Sequence, residues 1–282
     1  MSTHATVAIA LRNGVRRLPA ESSNLEAELL LAHSLGMPRS WLHAHPETPL
    51  NGAQRQHYRE NLKQREAGQP LPYLLGRCEF FGADFKVDAR ALIPRPETEL
   101  LVEAAIAIGQ RRGEGNEFTI ADVGTGCGII AVTLALRLPR ARIVSSDISR
   151  PALLLTRENV LRHGMSSRVH NVQTDILTGL DRFDLICANL PYIMSEELNT
   201  LAVAQHEPRL ALDGGPDGLR IIDRLLSSAR RHLRPGGNLL LEIGASQGDT
   251  ALQLARVHLP GAKCCVRLDL AGRARLLRIT YA

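Results

Sequence analysis

The 282-residue sequence predicts an α/β protein, a mostly parallel doubly wound sheet preceded by a small helical domain. Three observations carry this. From residue 118 onward, strand-like and helix-like segments alternate. A glycine loop joins the first of those strands directly to a helix. The last two strands are separated by only Asp269-Leu270-Ala271-Gly272-Arg273, with no room for a crossover helix, so they are expected to be antiparallel neighbours.

The first third of the chain is helical in pattern. Val7, Leu11, Val15 and Leu18 recur at helical spacing until Pro19 stops the run. Ser23 and Glu26 have the spacing of a capping box for a second helix, whose apolar face is Leu25, Leu29, Ala32 and Leu35 and whose end is Gly36-Met37-Pro38. A polar helix is expected over 53–66. This helical domain is assigned to 1–75, a hairpin linker to 76–92 and the main domain to 93–282. In the linker, aromatic residues alternate on either side of Gly82-Ala83. An apolar helix over 100–108 and a polar linker over 111–116 come next.

The α/β part then has strands over 118–123, 142–146, 169–173, 183–188, 238–243, 264–268 and 276–281. Helices are expected over 129–137, 151–163, 218–232 and 247–258, with a long loop after residue 188. Neither internal repeats nor low-complexity stretches interrupt this order.

Composition narrows the function classes. The net charge is +5, and only Lys63, Lys86 and Lys263 among the 34 basic residues are lysines. The arginines are scattered in pairs, which fits either an acidic macromolecular partner or an ordinary solvated surface. Five cysteines without a C-x-x-C pair indicate free thiols in a reducing cytoplasm. No metal site is expected, because the one close histidine pair, His43 and His45, lacks a further ligand at suitable spacing. A leader peptide and membrane spans are not expected either, so the protein is placed in the cytoplasm.

Two motifs carry chemistry. The first is Asp122-Val123-Gly124-Thr125-Gly126-Cys127-Gly128, in which glycines allow a sharp turn and close approach of a ligand to a helix N-terminus. Its G-x-G-x-G spacing differs from the dinucleotide fingerprint. Asp147 ends the next strand about 20 residues on, as a ribose-hydroxyl ligand requires. Asp175-Ile176 ends the third strand and offers a carboxylate and an apolar face for adenine. Together with the antiparallel final pair, this pattern points to S-adenosylmethionine rather than a hydride-transfer cofactor.

The second motif is Asn189-Leu190-Pro191-Tyr192, after the apolar strand 183–188. An amide, a backbone carbonyl next to proline and an aromatic face suit a flat, weakly nucleophilic nitrogen held by its N–H groups. Asn and Pro are also common turn residues, so the tetrapeptide alone would equally be a turn. Topology decides: the strand order reverses between the first and fourth strands, which sets the two motifs on opposite lips of one crevice. Further upstream, two prolines bracket Arg95 and precede Glu97, stiffening a segment that can hold both side chains toward an acceptor, while Pro96 also starts a helix.

At this point the chain resembles the HemK/PrmC protein-(glutamine-N5) methyltransferases. The resemblance rests on Tyr73-Leu74-Leu75-Gly76, residues 93–99, 122–128, Ser146-Asp147-Ile148-Ser149, 189–193, Glu207-Pro208-Arg209-Leu210-Ala211-Leu212, 214–219, Leu241-Glu242-Ile243-Gly244 and 269–273. It implies a class I S-adenosylmethionine-dependent methyltransferase fold, a Rossmann-like seven-stranded sheet with an antiparallel last strand. It further implies an N-terminal domain that docks class I peptide chain release factors, and methylation of the glutamine in their Gly-Gly-Gln motif. By the same resemblance Asn189, Leu190, Pro191 and Tyr192 form the catalytic and acceptor-binding set, with Arg95 and Glu97 beside it. The cofactor set is Gly124, Thr125, Gly126, Cys127, Gly128, Asp147, Asp175, Ile176 and Asn189. Neither membrane association nor stable nucleic-acid binding is expected.

The family usually has Asn-Pro-Pro-Tyr, and here Leu190 replaces the first proline. If that position contributes only its carbonyl, leucine keeps the contact with a less stiff backbone. Asn-Leu-Pro-Tyr is also typical of ribosomal RNA adenine dimethyltransferases, so an adenine N6-methyltransferase acting on RNA or DNA is the alternative. A non-catalytic binding module is a third reading, disfavoured because every motif residue is present.

Overall fold

The computed structural model describes residues 5–111 and 117–281, and the chain divides into two compact units between residues 77 and 78. In the first unit five helices, α1 (Val7–Arg17), α2 (Ser23–Leu35), α3 (Arg39–Ala44), α4 (Gly52–Glu66) and α5 (Leu71–Leu75), enclose Val7, Leu30, Leu31, Leu42, Tyr58 and Leu62. The short α3 and α5 were not expected; at six and five residues they are too brief to show a period. The capping box expected at Ser23 and Glu26 does not form. Ser22 is the N-cap and Ser23 lies inside the helix, while the Glu26 carboxylate receives Arg65 at 2.8 and 3.0 Å and the Ser22 hydroxyl at 2.9 Å. A buried carboxylate is better satisfied by a guanidinium fork than by one backbone N–H, and the contact holds Glu26 below the usual carboxylate range. A capping box is instead made by Asn51 and Gln54 at the start of α4.

Next along the chain comes a hairpin, β1 (Arg77–Phe80) and β2 (Ala83–Lys86), all but Arg77 in the second unit, followed by α6 (Glu99–Gln110), which a short 3₁₀ turn at Pro96–Thr98 leads in. The hairpin is no free linker. Phe85 is fully buried, the Phe81 N–H donates to Glu99 at 3.0 Å, and the Lys86 N–H donates to the Asn159 side-chain oxygen at 2.8 Å while its carbonyl accepts from the Asn159 Nδ2 at 2.9 Å. The polar linker expected at 111–116 lies, apart from Arg111, outside the described residues.

The remaining elements are β3 (Phe118–Val123), α7 (Ile129–Arg137), β4 (Ala141–Asp147), α8 (Arg150–Arg162), β5 (Val169–Gln173), β6 (Phe183–Ala188), α9 (Arg220–His232), β7 (Leu233–Glu242), α10 (Gly248–His258), β8 (Lys263–Leu268) and β9 (Ala274–Thr280). The sheet order is β5-β4-β3-β6-β7-β9-β8. β3 pairs in parallel with both β4 and β6, so the order reverses between β3 and β6 as expected. β9 runs antiparallel to both β7 and β8, lying between them. Its insertion makes the last strand central and leaves β8 at the edge.

β6 is buried along its whole length, including Asp184. Its carboxylate accepts from the Thr119 N–H and hydroxyl, both at 2.9 Å, and from Arg234 at 3.0 Å. Arg234 reaches it because β7 begins five residues earlier than expected, with a register shift opposite Phe183 and Leu185. A charge inside a central strand is tolerated here because three donors, one of them a guanidinium, converge on its Oδ2.

Candidate cofactor and acceptor site

The glycine loop leaves β3 and enters α7 with Gly124, Gly126 and Gly128 at positive φ. At Gly124 (φ +70°) a Cβ would stand 2.8 Å from Leu190 Cδ2, and at Gly128 (φ +85°) 2.7 Å from Thr156 Cγ2. Side chains at either position would be strained and would collide with the opposite wall. The loop is tied from within. Gly124 and Thr125 N–H groups donate to the Ser146 carbonyl at 2.8 and 3.0 Å, and the Thr125 hydroxyl donates to Asp122 at 2.6 Å. From α8, Thr156 donates to the Gly126 carbonyl at 2.8 Å and Asn159 to the Cys127 carbonyl at 2.8 Å. Thr156 and Asn159 were not expected; their only sequence signal is polarity on an otherwise apolar helix face. Cys127 is buried, and burial pushes its thiol up to about 12, so it is an inert wall.

Asp147, at the end of β4, accepts from the Gly126 N–H at 3.0 Å and from the Ser149 N–H at 2.8 Å. Burial raises its pKa, partly offset by these donors. Ser149 caps α8 through the Ala152 N–H. Asp175 is bound by Arg224 of α9 at 2.5 Å, a partner the sequence did not reveal, and the adjacent Ile176 holds a positive φ of 56°.

A cavity of about 480 Å³ collects most of these groups. Gly124, Thr125, Gly126, Cys127, Asp147, Asp175 and Ile176 line it from the β3–β5 side, and Asn189, Leu190, Pro191 and Arg95 from the other. The crevice expected from strand order therefore exists. Gly128 supports the loop without lining the cavity. Leu190 differs from expectation: its side chain is 5% exposed and packs in the core against the glycine loop, so it contributes more than a carbonyl.

A second cavity, about 220 Å³, adjoins the first through Asn189, Leu190 and Arg95, and adds Tyr192 and Glu242 to its lining. The Asn189 Nδ2 donates to Thr98 Oγ1 at 3.0 Å, and the Thr98 hydroxyl donates to Glu242 at 2.7 Å. The Tyr192 hydroxyl stands 3.5 Å from the other Glu242 oxygen. Thr98 is wholly buried and Glu242 nearly so. Burial pushes the Glu242 carboxyl up to about 7, and pushes the Tyr192 phenol up to about 12, with the Glu242 charge adding to the latter. Neither Thr98 nor Glu242 was singled out as a site residue, although both lie in the stretches that carry the resemblance.

Arg95 pairs with the buried Glu207, which also receives the Ile93 N–H at 2.9 Å. This joins the 93–99 stretch to the 207–219 loop, 112 positions apart. Glu97 is exposed and outside both cavities, and its charge raises the pKa of Glu242 and Tyr192.

Known proteins resemble the chain along nearly its whole length. The family description "PrmC N-terminal domain" matches residues 10–76, and "Methyltransferase small domain" matches 98–207. A release factor glutamine methyltransferase from Moorella thermoacetica is 44% identical over 276 residues, covering 96% of this chain and 96% of that protein. The chain belongs to the release factor glutamine methyltransferase family. Another member, from Cereibacter sphaeroides, is 40% identical over 95% of this chain and 96% of its own length. Among solved structures, the T. thermophilus 16S rRNA N2 G1207 methyltransferase in complex with AdoMet and guanosine superposes with a TM-score of 0.52 at 18% identity. It covers 73% of this chain and 50% of that one, a likeness of fold. For a release factor glutamine methyltransferase family member, the helical unit at the N-terminal end corresponds to the matched N-terminal domain. Among the described residues no group of three or more His, Cys, Asp and Glu could hold a metal, and no helix is long and apolar enough to cross a membrane.

Proposed function

We infer that this chain transfers a methyl group from S-adenosylmethionine to the side-chain amide nitrogen (N5) of the glutamine in the Gly-Gly-Gln motif of class I peptide chain release factors. The observation that carries the reading is the position of Asn189, whose amide lines both cavities while its nitrogen is anchored behind. The larger cavity fits the cofactor: it has the size of a nucleoside-bearing ligand, and it is lined by a glycine loop in which Gly124 has no room for a Cβ beside Leu190. Gly124 to Gly126, Asp147, Asp175 and Ile176 would hold it. When bound, S-adenosylmethionine supplies an electrophilic methyl group.

The chain's residues then orient the acceptor. A carboxamide nitrogen is a poor nucleophile because its lone pair is delocalised into the carbonyl. The Asn189 Oδ1 and the Leu190 carbonyl each accept one N–H, which turns that lone pair toward the methyl group. Tyr192 packs on the amide plane and, with its phenol pushed up to about 12, remains neutral. Orientation and the carbonyl dipoles facing the developing positive charge provide most of the acceleration. The methylated nitrogen is acidic enough to lose its proton to water.

The helical unit, 1–77, is assigned to release-factor docking, and Arg95 and Glu97 to the rim that receives the loop. Free thiols at all five cysteines fit a reducing cytoplasm. Incubation with a release factor and labelled cofactor, read by mass spectrometry at residue resolution, is expected to place the label on that glutamine. Label appearing only in RNA or DNA would overturn the assignment in favour of an adenine acceptor.

A further inference from the structure

Asn189 can help the acceptor only if its oxygen, not its nitrogen, faces the incoming N–H. The two ends of a carboxamide are nearly the same size, so shape alone does not select between them. Selection is made behind the residue. Asn189 Nδ2 lies 3.0 Å from Thr98 Oγ1, which lies 2.7 Å from Glu242 Oε2. A threonine hydroxyl has one proton to give. While Glu242 is ionised it can only accept, so Thr98 donates to it and is left as an acceptor for Asn189 Nδ2.

We propose that Thr98 and Glu242 are positioning residues that fix the Asn189 amide with its oxygen toward the acceptor nitrogen, and that a proton on Glu242 reverses the relay. With that proton in place, Glu242 donates to Thr98, Thr98 donates to Asn189 Oδ1, and Nδ2 turns to the cavity, where it opposes the acceptor N–H. No bond other than these hydrogen bonds changes. The groups that bear on Glu242 come from each packed element. Thr98 and Tyr192 donate to it, Arg275 of β9 favours its charge, and Glu97 opposes it. Burial is the largest influence, and it pushes the carboxyl up to about 7. The proposal rests on the glutamine-methylation reading, because it assumes an acceptor that offers N–H groups.

The test is methyl transfer to an intact release factor, in single turnover from about pH 5.5 to 9, by the full-length protein. For the wild type the rate is expected to fall tenfold per pH unit below about 7. Glu242→Gln and Thr98→Val are expected to be roughly 10- to 100-fold slower at high pH and to lack that limb. Thr98→Ser is expected to restore both rate and limb, with cofactor affinity within about twofold of wild type in all variants. A limb that is absent in the wild type, or that persists in Glu242→Gln, overturns the relay. A wild type that never labels glutamine instead rejects the acceptor reading. The two failures are separated by NMR of the Asn189 side-chain amide, whose resonances should titrate near neutral pH in the wild type and stay flat in Glu242→Gln whatever the acceptor; flat wild-type resonances overturn the relay.

Discussion

Asp122 is fully buried, accepts from Thr125 and from the Ala131 N–H on one oxygen, and among the described residues has no partner on the other. Burial pushes its carboxyl up to about 7 from 3.8. A carboxyl whose pKa is raised on folding binds its proton more tightly in the native chain than in the unfolded one. Its favourable contribution is therefore complete below about pH 4 and is lost as pH rises through about 7. Asp122→Asn removes that dependence while keeping an acceptor for Thr125. In urea titrations the stability of the variant relative to wild type should accordingly rise by roughly 4 kcal/mol from acid to mildly alkaline pH. A parallel pair of curves would show that Asp122 does not titrate with folding. At the loop above it, Gly124→Ala meets both a left-handed backbone and Leu190 Cδ2 at 2.8 Å. Cofactor affinity measured by calorimetry should fall at least about tenfold, with about 1–3 kcal/mol lost in stability. Leu190 is thus a wall of the crevice, which explains why a bulky apolar residue serves there.

Among the elements, α8 does the most to connect the site to its surroundings. Asn159 accepts from the Lys86 N–H, donates to the Lys86 carbonyl and donates to the Cys127 carbonyl, so one buried side chain joins the hairpin to the glycine loop. Asn159→Ala leaves three backbone groups without partners. It should cost about 2–4 kcal/mol in urea unfolding and weaken cofactor binding several-fold, both at once. If stability fell while affinity held, the loop would be shown to stand without α8. This bond was not legible in the sequence, because its partners lie 73 and 32 positions away. What was legible is local. α7, β3 and β6 occupy the expected residues because each is a largely apolar run with a polar residue or glycine at its edge, and β5, though only Val169 and Val172 in it are apolar, occupies its expected residues too. The crevice followed from strand order, and Asn189, Gly124 and Asp147 could be placed along it because strand ends are readable. The capping box at Ser23 failed because a distant Arg65 claims Glu26. The 3₁₀ turns of three or four residues in the 197–211 loop were unread because they are shorter than any period, and Arg224 on Asp175 because nothing local announces it.

Across the whole molecule, stability is divided between separate cores. The cluster around Leu30, Leu31, Leu42 and Tyr58 is made entirely by the first unit, whereas Val123, Ile186, Leu190, Leu225 and Leu241 belong to a cluster in the second. A cavity cut in the first core should therefore leave the catalytic unit folded. Leu30 is fully buried, and Leu30→Ala should cost about 2–5 kcal/mol in the unit that contains it. Hydrogen exchange of the full-length variant is expected to show lost protection across α1, α2 and α4 and unchanged protection in β3, β4 and β6. Calorimetric affinity for S-adenosylmethionine should be that of the wild type, because every described residue that lines the larger cavity lies beyond position 77. If the helical unit docks the substrate, the same variant should raise KM for an intact release factor several-fold while kcat at saturation is kept, since the acceptor clamp is untouched. Protection lost uniformly across both units would mean that the chain unfolds as one body, and an unchanged KM would remove the helical unit from recognition.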